Sequence, residues 1–586
     1  MKKVVIFSLL TLSIAFGLSA PGYAQQSSPS RQTTSCNPLN LSYRFALFGR
    51  PAREGADPTV VLFKNKYYLF VSKSGGYWLS DNLINWSFIT SPALPWEDYA
   101  PTAVAIKDTL YFLASTAISK KRCIYKTADP ETGKWVIANP DFPIQMTDPD
   151  LFLDDDGRLY FYYGCSNKDP IHVVELDVHT LNPIGKTLDC FNSNMNDFGW
   201  ERNGDHNTSN ERPWIEGPWM TKYKGKYYLQ YAAPGTEYKS YADALYLADS
   251  PLGPFTIADL NPISYKPEGF IAGAGHGSTF QDKFGNFWHI ATMSISVNRP
   301  FERRLGLFPA FFDKDGVLYS YTAFGDFPHT IPQRHLEGPQ DYQPSCMLLS
   351  YHKPVEVSST WKDYLKENAT DENVRTCWSA QTGGKGEWIM IDLENQSKVR
   401  AIQINFADIE AKIRGRQDNV YYSYLLEYSN DKHTWHTLVD KRTNKTDVPD
   451  DYIELREPVT ARYLRLTNDH VPDGNFSLSD FRVFGKGAGK APNIVSSFKA
   501  IRDSSDGRKV TLSWTKSKGA TGYNIRYGTQ PGKLYLNYQV LNADSVTIRS
   551  LSNRQAYYFS IDVFNENGIT NGKKVISIKK SSSNDD

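Results

Sequence analysis

Charge of one sign is almost missing from this chain: 65 basic against 64 acidic side chains leave a formal net charge of +1 over 586 residues. A dedicated nucleic-acid binder needs a marked basic excess to neutralise phosphates, so that class is excluded. Cysteine is scarce as well. The six (Cys36, Cys123, Cys165, Cys190, Cys346 and Cys377) include no C-x-x-C pair, and their spacing fits neither a disulfide scaffold nor a zinc site. One or two disulfides remain compatible with export, and most of the six read as buried thiols. Beyond the first two dozen residues there is no apolar run long enough to span a bilayer.

Residues 1–24 read as a signal peptide rather than as part of a fold. Lys2 and Lys3 precede an apolar stretch from Val4 to Leu18, and Gly22-Tyr23-Ala24 offers small residues around a cleavage point. That stretch is shorter than the ~20 residues a spanning helix needs, and Cys36 lies too far on for a lipid anchor. The expectation is an exported protein, periplasmic or secreted, and monomeric.

Aromatic residues are abundant. Tyr (36), Phe (31) and Trp (13) make up 14% of the chain, beside 40 Gly and 33 Pro. Aromatic rings pack well on pleated surfaces and Gly and Pro close the turns between strands, so the mix suits an all-β protein. It also suits a carbohydrate binder, because a ring offers an apolar face to sugar C–H groups.

From Tyr43 to Phe324 the sequence repeats loosely. Asp57-Pro58-Thr59-Val60-Val61-Leu62-Phe63 is followed by a turn and Tyr67-Tyr68-Leu69-Phe70. Similar hairpins begin at Tyr99, Asp148, Glu216 and Gly275, at intervals of 42, 49, 68 and 59 residues. Each is an apolar strand, a tight turn with Gly, Asn or Asp, and an aromatic strand. A four-stranded propeller blade takes about 40–50 residues, with insertions in loops on one face, so a five-bladed β-propeller over 40–345 is predicted. Alternating strands such as Glu387 to Leu393 and Ala461 to Leu466 predict a β-sandwich or jelly roll over 350–487. A third all-β unit is predicted over 492–580, where Leu551 and Tyr557 have the spacing of an immunoglobulin-like corner with its phenol capping a turn.

Three of the hairpins open on an acid: Asp57, Asp148 and Glu216. Acids converging on one channel mouth repel one another, so at least one should hold its proton more tightly. One ionised and one protonated carboxyl is what glycoside hydrolysis requires, an acid for the leaving oxygen and a base for water. The region from Tyr43 to Tyr321 resembles glycoside hydrolase family 43. Ala56-Asp57-Pro58, Tyr77 to Trp86, Tyr99-Ala100-Pro101, Thr147-Asp148-Pro149, Ile215-Glu216-Gly217-Pro218 and Gly275-His276-Gly277-Ser278 carry the likeness. It implies hydrolysis with inversion, Asp57 as general base, Asp148 as the residue that tunes the acid and orients sugar, and Glu216 as general acid. No cofactor is required.

The likeness also implies a His at the channel centre for substrate water or an ion (His276), and a sugar-facing arginine at Arg303 or Arg304, with Arg304 preferred. The metal, if any, is left open. Trp96, Tyr99, Trp200 and Trp214 are candidate sugar platforms. The insertion from Asn192 to Arg212 is long enough to close one end of the pocket, which argues for exo-attack on terminal sugars. Residues 350–487 resemble a discoidin (coagulation factor 5/8 type C) domain through Ala369 to Asn373, Thr376 to Ala380, Gly386 to Leu393 and Ala461 to Leu466. Such a domain binds glycan or serves as a spacer, and is compatible with a structural calcium ion. The last unit resembles fibronectin type III.

Two functions of different class follow. One is an exo-acting, inverting glycosidase acting on oligosaccharide or polysaccharide, with α-L-arabinofuranose first and β-D-xylose, β-D-galactofuranose or β-galactose as alternatives. The other is a lectin-like binding protein. Acids at all three positions favour the enzyme.

Overall fold

The computed structural model describes residues 32–95, 99–116, 120–145, 147–295, 297–299 and 301–580; the leader at 1–24 lies outside them. No helix among the described residues is long and apolar enough to cross a membrane. The protein is all-β.

Between Thr59 and Ser320 the chain forms five antiparallel sheets, each a meander of four strands in sequence order, the fourth with one extra short strand. Their first strands are Thr59–Phe63, Tyr99–Ile106, Asp150–Leu153, Glu216–Tyr223 and Ala272–Gln281. Tight turns explain the hairpins. Phe63 pairs with Lys66 across Lys64 and Asn65, which have φ of 48° and 64°, the left-handed pair that a two-residue turn matching strand twist demands.

Each first strand packs on the next, and the fifth on the first, so the five close into a ring. Hydrogen bonds cross the seams. Thr59 Oγ1 donates to Pro101 O at 2.8 Å, the Met220 amide to Asp150 Oδ2 at 2.8 Å, and Trp219 Nε1 to Thr279 O at 2.9 Å. Aromatic layers fill the space between sheets: Phe70, Tyr77, Phe112 and Trp135 form one such cluster between the first and second. Ring pairs of this kind stabilise beyond the area they bury.

Residues 347–486 build an eight-stranded sheet. Its two longest strands, Trp388–Phe406 and Asp450–His470, pair over most of their length, with register shifts near Asp392/Ser397 and Val399/Ala401. Residues 498–578 form a three-stranded and a five-stranded sheet that share one core around Leu512, Ile525, Tyr527 and Ile561. There the Ser552 amide donates to the Tyr557 phenol oxygen at 2.9 Å.

Everything from Thr33 onward is one compact unit. Buried charge joins its parts. Arg53, in a short strand just before the ring, lies 2.8 Å from Asp408 and 2.7 Å from Asp447 of the second domain. Tyr319 stacks on Tyr535 of the third at 3.9 Å. All six cysteines are free thiols, so the one or two disulfides compatible with export are not formed.

The 192–212 insertion differs from expectation. Most of it is docked on the third domain: Gly199 N–H donates to Leu551 O, Arg202 pairs with Asp506 at 3.0 Å, and Asn553 N–H donates to Asp197 O. The rest faces the ring: Phe198 and Trp200 pack on Ile171, Tyr231 and Tyr246, and at the far turn Gly204 O accepts from Ser240 and Asp205 from the Lys239 amide. Trp200 is therefore no sugar platform. It is 2% exposed, stacked on Phe198 at 4.8 Å, and its Nε1 reaches the Tyr231 hydroxyl.

Candidate active site

Where each of the five sheets meets the ring, one residue has a positive φ: Asp57 (54°), Ala100 (49°), Asp148 (45°), Gly217 (57°) and His276 (43°). The left-handed region costs an ordinary residue about 1–2 kcal/mol, so four non-glycines there must be held in place. Hydroxyls from the neighbouring sheet hold three of the four. Ser72 Oγ accepts from the Ala100 amide at 2.7 Å, Ser115 Oγ from the Asp148 amide at 2.8 Å, and Thr292 Oγ1 from the Asp57 amide at 2.7 Å.

Three acids gather around one imidazole. His276 Nδ1 is 3.3 Å from Asp57 Oδ1 and 3.7 Å from Asp148 Oδ2. Its ring lies against the backbone next to Glu216, because a Cβ placed on Gly217 would come within 2.5 Å of it. The loop is braced from beneath: Gly277 N–H donates to Asp243 Oδ2, which also lies 3.0 Å from His289 Nε2.

The acids are electrostatically unlike. Burial opposes ionisation of Asp57, but His276, Arg303, a hydrogen bond from Ser72 Oγ (2.6 Å) and Lys73 outweigh it and hold this carboxyl below the usual range. Asp148 goes the other way. Burial, with Glu216 and Asp57 nearby, outweighs His276 and pushes it up to about 7. Burial works against a charged His276, yet the surrounding carboxylates raise it above an ordinary histidine. Glu216 accepts hydrogen bonds on both oxygens, from the Tyr241 hydroxyl on Oε1 and from the Cys165 thiol on Oε2 at 3.1 Å.

An ionised carboxylate and a separately held carboxyl around one cleft is the equipment of glycoside hydrolysis. Residues 51–318 match the family described as glycosyl hydrolases family 43. The chain carries a family 43 glycosyl hydrolase domain. Residues 354–480 match the F5/8 type C domain. The chain is 25% identical over 269 residues to the β-D-galactofuranosidase xynD of Aspergillus niger, covering 40% of this chain and 72% of that protein. It is 28% identical over 264 residues to xylosidase/arabinosidase 43A of Humicola insolens (38% and 76% covered). Over 225 residues it is 24% identical to a xylosidase/arabinosidase of Butyrivibrio fibrisolvens, of which it spans 39%. The protein is a glycosidase that hydrolyses O-glycosyl bonds.

In the family 43 domain the arginine preference reverses. Arg304 is 1% exposed and turned away from the acids, onto Glu302 and onto Asp450 of the F5/8 type C domain at 3.4 Å each. Arg303 is the residue beside the acids, its Nη1 3.6 Å from Asp57 Oδ1 and 3.3 Å from Thr236 Oγ1. Neighbours on a strand point to opposite faces, so only one of the two can reach the cleft. Tyr99 and Trp214 are roughly half exposed. Tyr99 adjoins Ala100, and the Lys73 ammonium sits 5.8 Å from its ring. Trp96 lies outside the described residues.

Sequence reasoning missed Tyr241, Cys165 and the Ser72, Ser115 and Thr292 hydroxyls. Two of the hydroxyls had a faint signal, since Ser72 and Ser115 stand at or just past the end of an aromatic strand. Among the described residues the one grouping of three metal-type side-chain donors is Asp148, Cys165 and Glu216, within 4.8 Å of one another. Two carboxyls and a protonated thiol do not suit calcium, which takes six to eight oxygens.

Proposed function

We propose that this glycosidase is exo-acting and inverting, and that it releases terminal α-L-arabinofuranose from plant polysaccharide or glycoprotein glycans. Asp57 is the general base, Glu216 the general acid, and Asp148 orients the sugar and tunes the acid. The observation that carries this reading is the opposite treatment of the acids around His276. Asp57 is kept ionised by His276 and Arg303, as a group that takes a proton from water must be. Glu216, from the fourth sheet, is held in one orientation by a donor on each oxygen, which fixes where its carboxyl points. Water attacks the anomeric carbon as Asp57 accepts its proton; the glycosidic oxygen departs with the proton of Glu216. Arg303 faces the same cleft and is the sugar-facing arginine on this reading.

The exo reading is supported by the wall beside Tyr241. Arg375 of the F5/8 type C domain binds both Asp205 and Glu237 O, and so locks the far turn of the insertion onto the segment before Tyr241. The relatives' printed activities make β-D-xylosides and β-D-galactofuranosides the next substrates to try. The ring of sheets is read as a five-bladed propeller, the last unit as a fibronectin type III-like sandwich, and the leader as an export signal.

The test is release of the aryl group from α-L-arabinofuranoside, β-D-xyloside, β-D-galactofuranoside and β-D-galactoside, with Asp57→Ala as control. Fastest turnover of the arabinofuranoside, lost in Asp57→Ala, is expected. Preference for another sugar would overturn the substrate, and early mixtures of oligosaccharides from long unbranched chains would overturn exo-attack.

A further inference from the structure

Three of the five sheets supply a hydroxyl staple, the fourth has Ala232 at that place, and the third has a side chain that donates instead. Ser72 stands two residues past the strand Lys66–Phe70, Ser115 ends the strand Thr109–Ser115, and Thr292 lies within Phe287–Ser294. Each accepts a backbone N–H from the adjoining sheet. In the third sheet the corresponding place, two residues past Leu159–Tyr163, is held by Cys165. Sulfur is a poor acceptor for a backbone amide but still a donor. The thiol turns instead to side-chain carboxyls: Sγ is 3.1 Å from Glu216 Oε2, with Asp148 on its other side.

This bond completes a two-sided grip. Tyr241 precedes the third strand of the fourth sheet and holds Oε1; Cys165 comes from the third sheet and holds Oε2. Neither donor gives up its hydrogen. Burial, reinforced by Asp148 and Glu216, raises the Cys165 thiol far above an ordinary cysteine, and burial does the same for the Tyr241 phenol. Cys165 is therefore a fixed donor at the cleft rather than a nucleophile.

We infer that Cys165 is a positioning residue for the general acid: its S–H holds the Glu216 carboxyl with Oε2 aimed at the departing oxygen. The inference rests on the reading of Glu216 as general acid. It has a kinetic signature. A misaimed acid hurts most when the departing oxygen needs a proton most, and hardly matters for a leaving group that departs as a stable anion.

The experiment compares Cys165→Ala, Cys165→Ser and Glu216→Gln on the 2,4-dinitrophenyl and methyl glycosides of the sugar turned over fastest. Cys165→Ala should lower kcat on the methyl glycoside about 10-fold, with a change within about 2-fold on the dinitrophenyl glycoside and in KM. Cys165→Ser, which can still donate to Oε2, should recover most of that loss, and melting temperatures should show both variants folded. Equal loss on both substrates, or none on either, overturns the inference. Glu216→Gln separates the two ideas. If it discriminates strongly between the leaving groups while Cys165→Ala does not, only the role of Cys165 falls; if Glu216→Gln loses both activities equally, the general acid is misassigned and the inference falls with it.

Discussion

Arg53 of the family 43 domain and Asp408 of the F5/8 type C domain form an ion pair at 2.8 Å in which both side chains are essentially shut off from water. Asp447 binds the same guanidinium at 2.7 Å, and the Tyr422 hydroxyl accepts from it at 2.9 Å. A charge this deeply buried is tolerable only while its partners stay. The second domain thus supplies the counter-charges of a guanidinium buried in the first.

Asp408→Ala removes one of the two carboxylates on Arg53 while Asp447 stays on it, and should cost about 1–3 kcal/mol, below the full penalty for an uncompensated buried charge. Urea unfolding of the whole chain checks this. Replacing Arg53, Asp408 and Asp447 together by Met, Leu and Asn should cost much less, because neither the guanidinium nor either of its carboxylates is left behind. A similar loss in both variants would mean that packing, not charge, sets the effect.

Arg303 and Arg304 should part company in kinetics and stability. Arg303→Ala removes a group beside Asp57 and should lower kcat/KM by about 10–100-fold with little change in melting temperature. Arg304→Ala strands Asp450 and Glu302 and should lower the melting temperature first. The opposite pattern would restore Arg304 as the sugar-facing residue.

Buried carboxyls give stability a pH slope of predictable sign. Burial raises Asp150 and Glu201 to about 7 each. Between the ordinary carboxyl range near 4 and about 7, the folded chain therefore binds these protons and the unfolded chain does not. Their contribution to stability falls as pH rises through that window and is level above it. Asp150→Asn with Glu201→Gln should then show a smaller loss of melting temperature between pH 5 and pH 8 than the parent protein. An equal loss would place the responsible groups elsewhere.

Inversion predicts the product anomer opposite to the substrate's. Proton NMR of the first sugar released, read before mutarotation, decides it. A product that keeps the substrate's configuration would remove the water-activating role from Asp57 and require a covalent intermediate.

The amino-acid order alone determined a great deal of this protein, because the signals are local. Two-residue periodicity, aromatic strands and turn residues such as Lys64-Asn65 mark hairpins within a dozen positions. The Asp-Pro and Glu-Gly-Pro openings place Asp57 and Asp148 at equivalent points of the repeat and Glu216 one residue before that point. What the order could not contain is which side chains meet across sheets. Whether Arg303 or Arg304 faces the acids turns on strand parity in the folded ring, and Trp200 becomes core because the insertion folds it onto Ile171, Tyr231 and Tyr246 of two neighbouring sheets. Cys165 and Tyr241 close on Glu216 from two different sheets, 51 and 25 positions away. Such pairings depend on ring closure and domain docking, which bring distant residues within hydrogen-bond reach, and only the tertiary structure decides them.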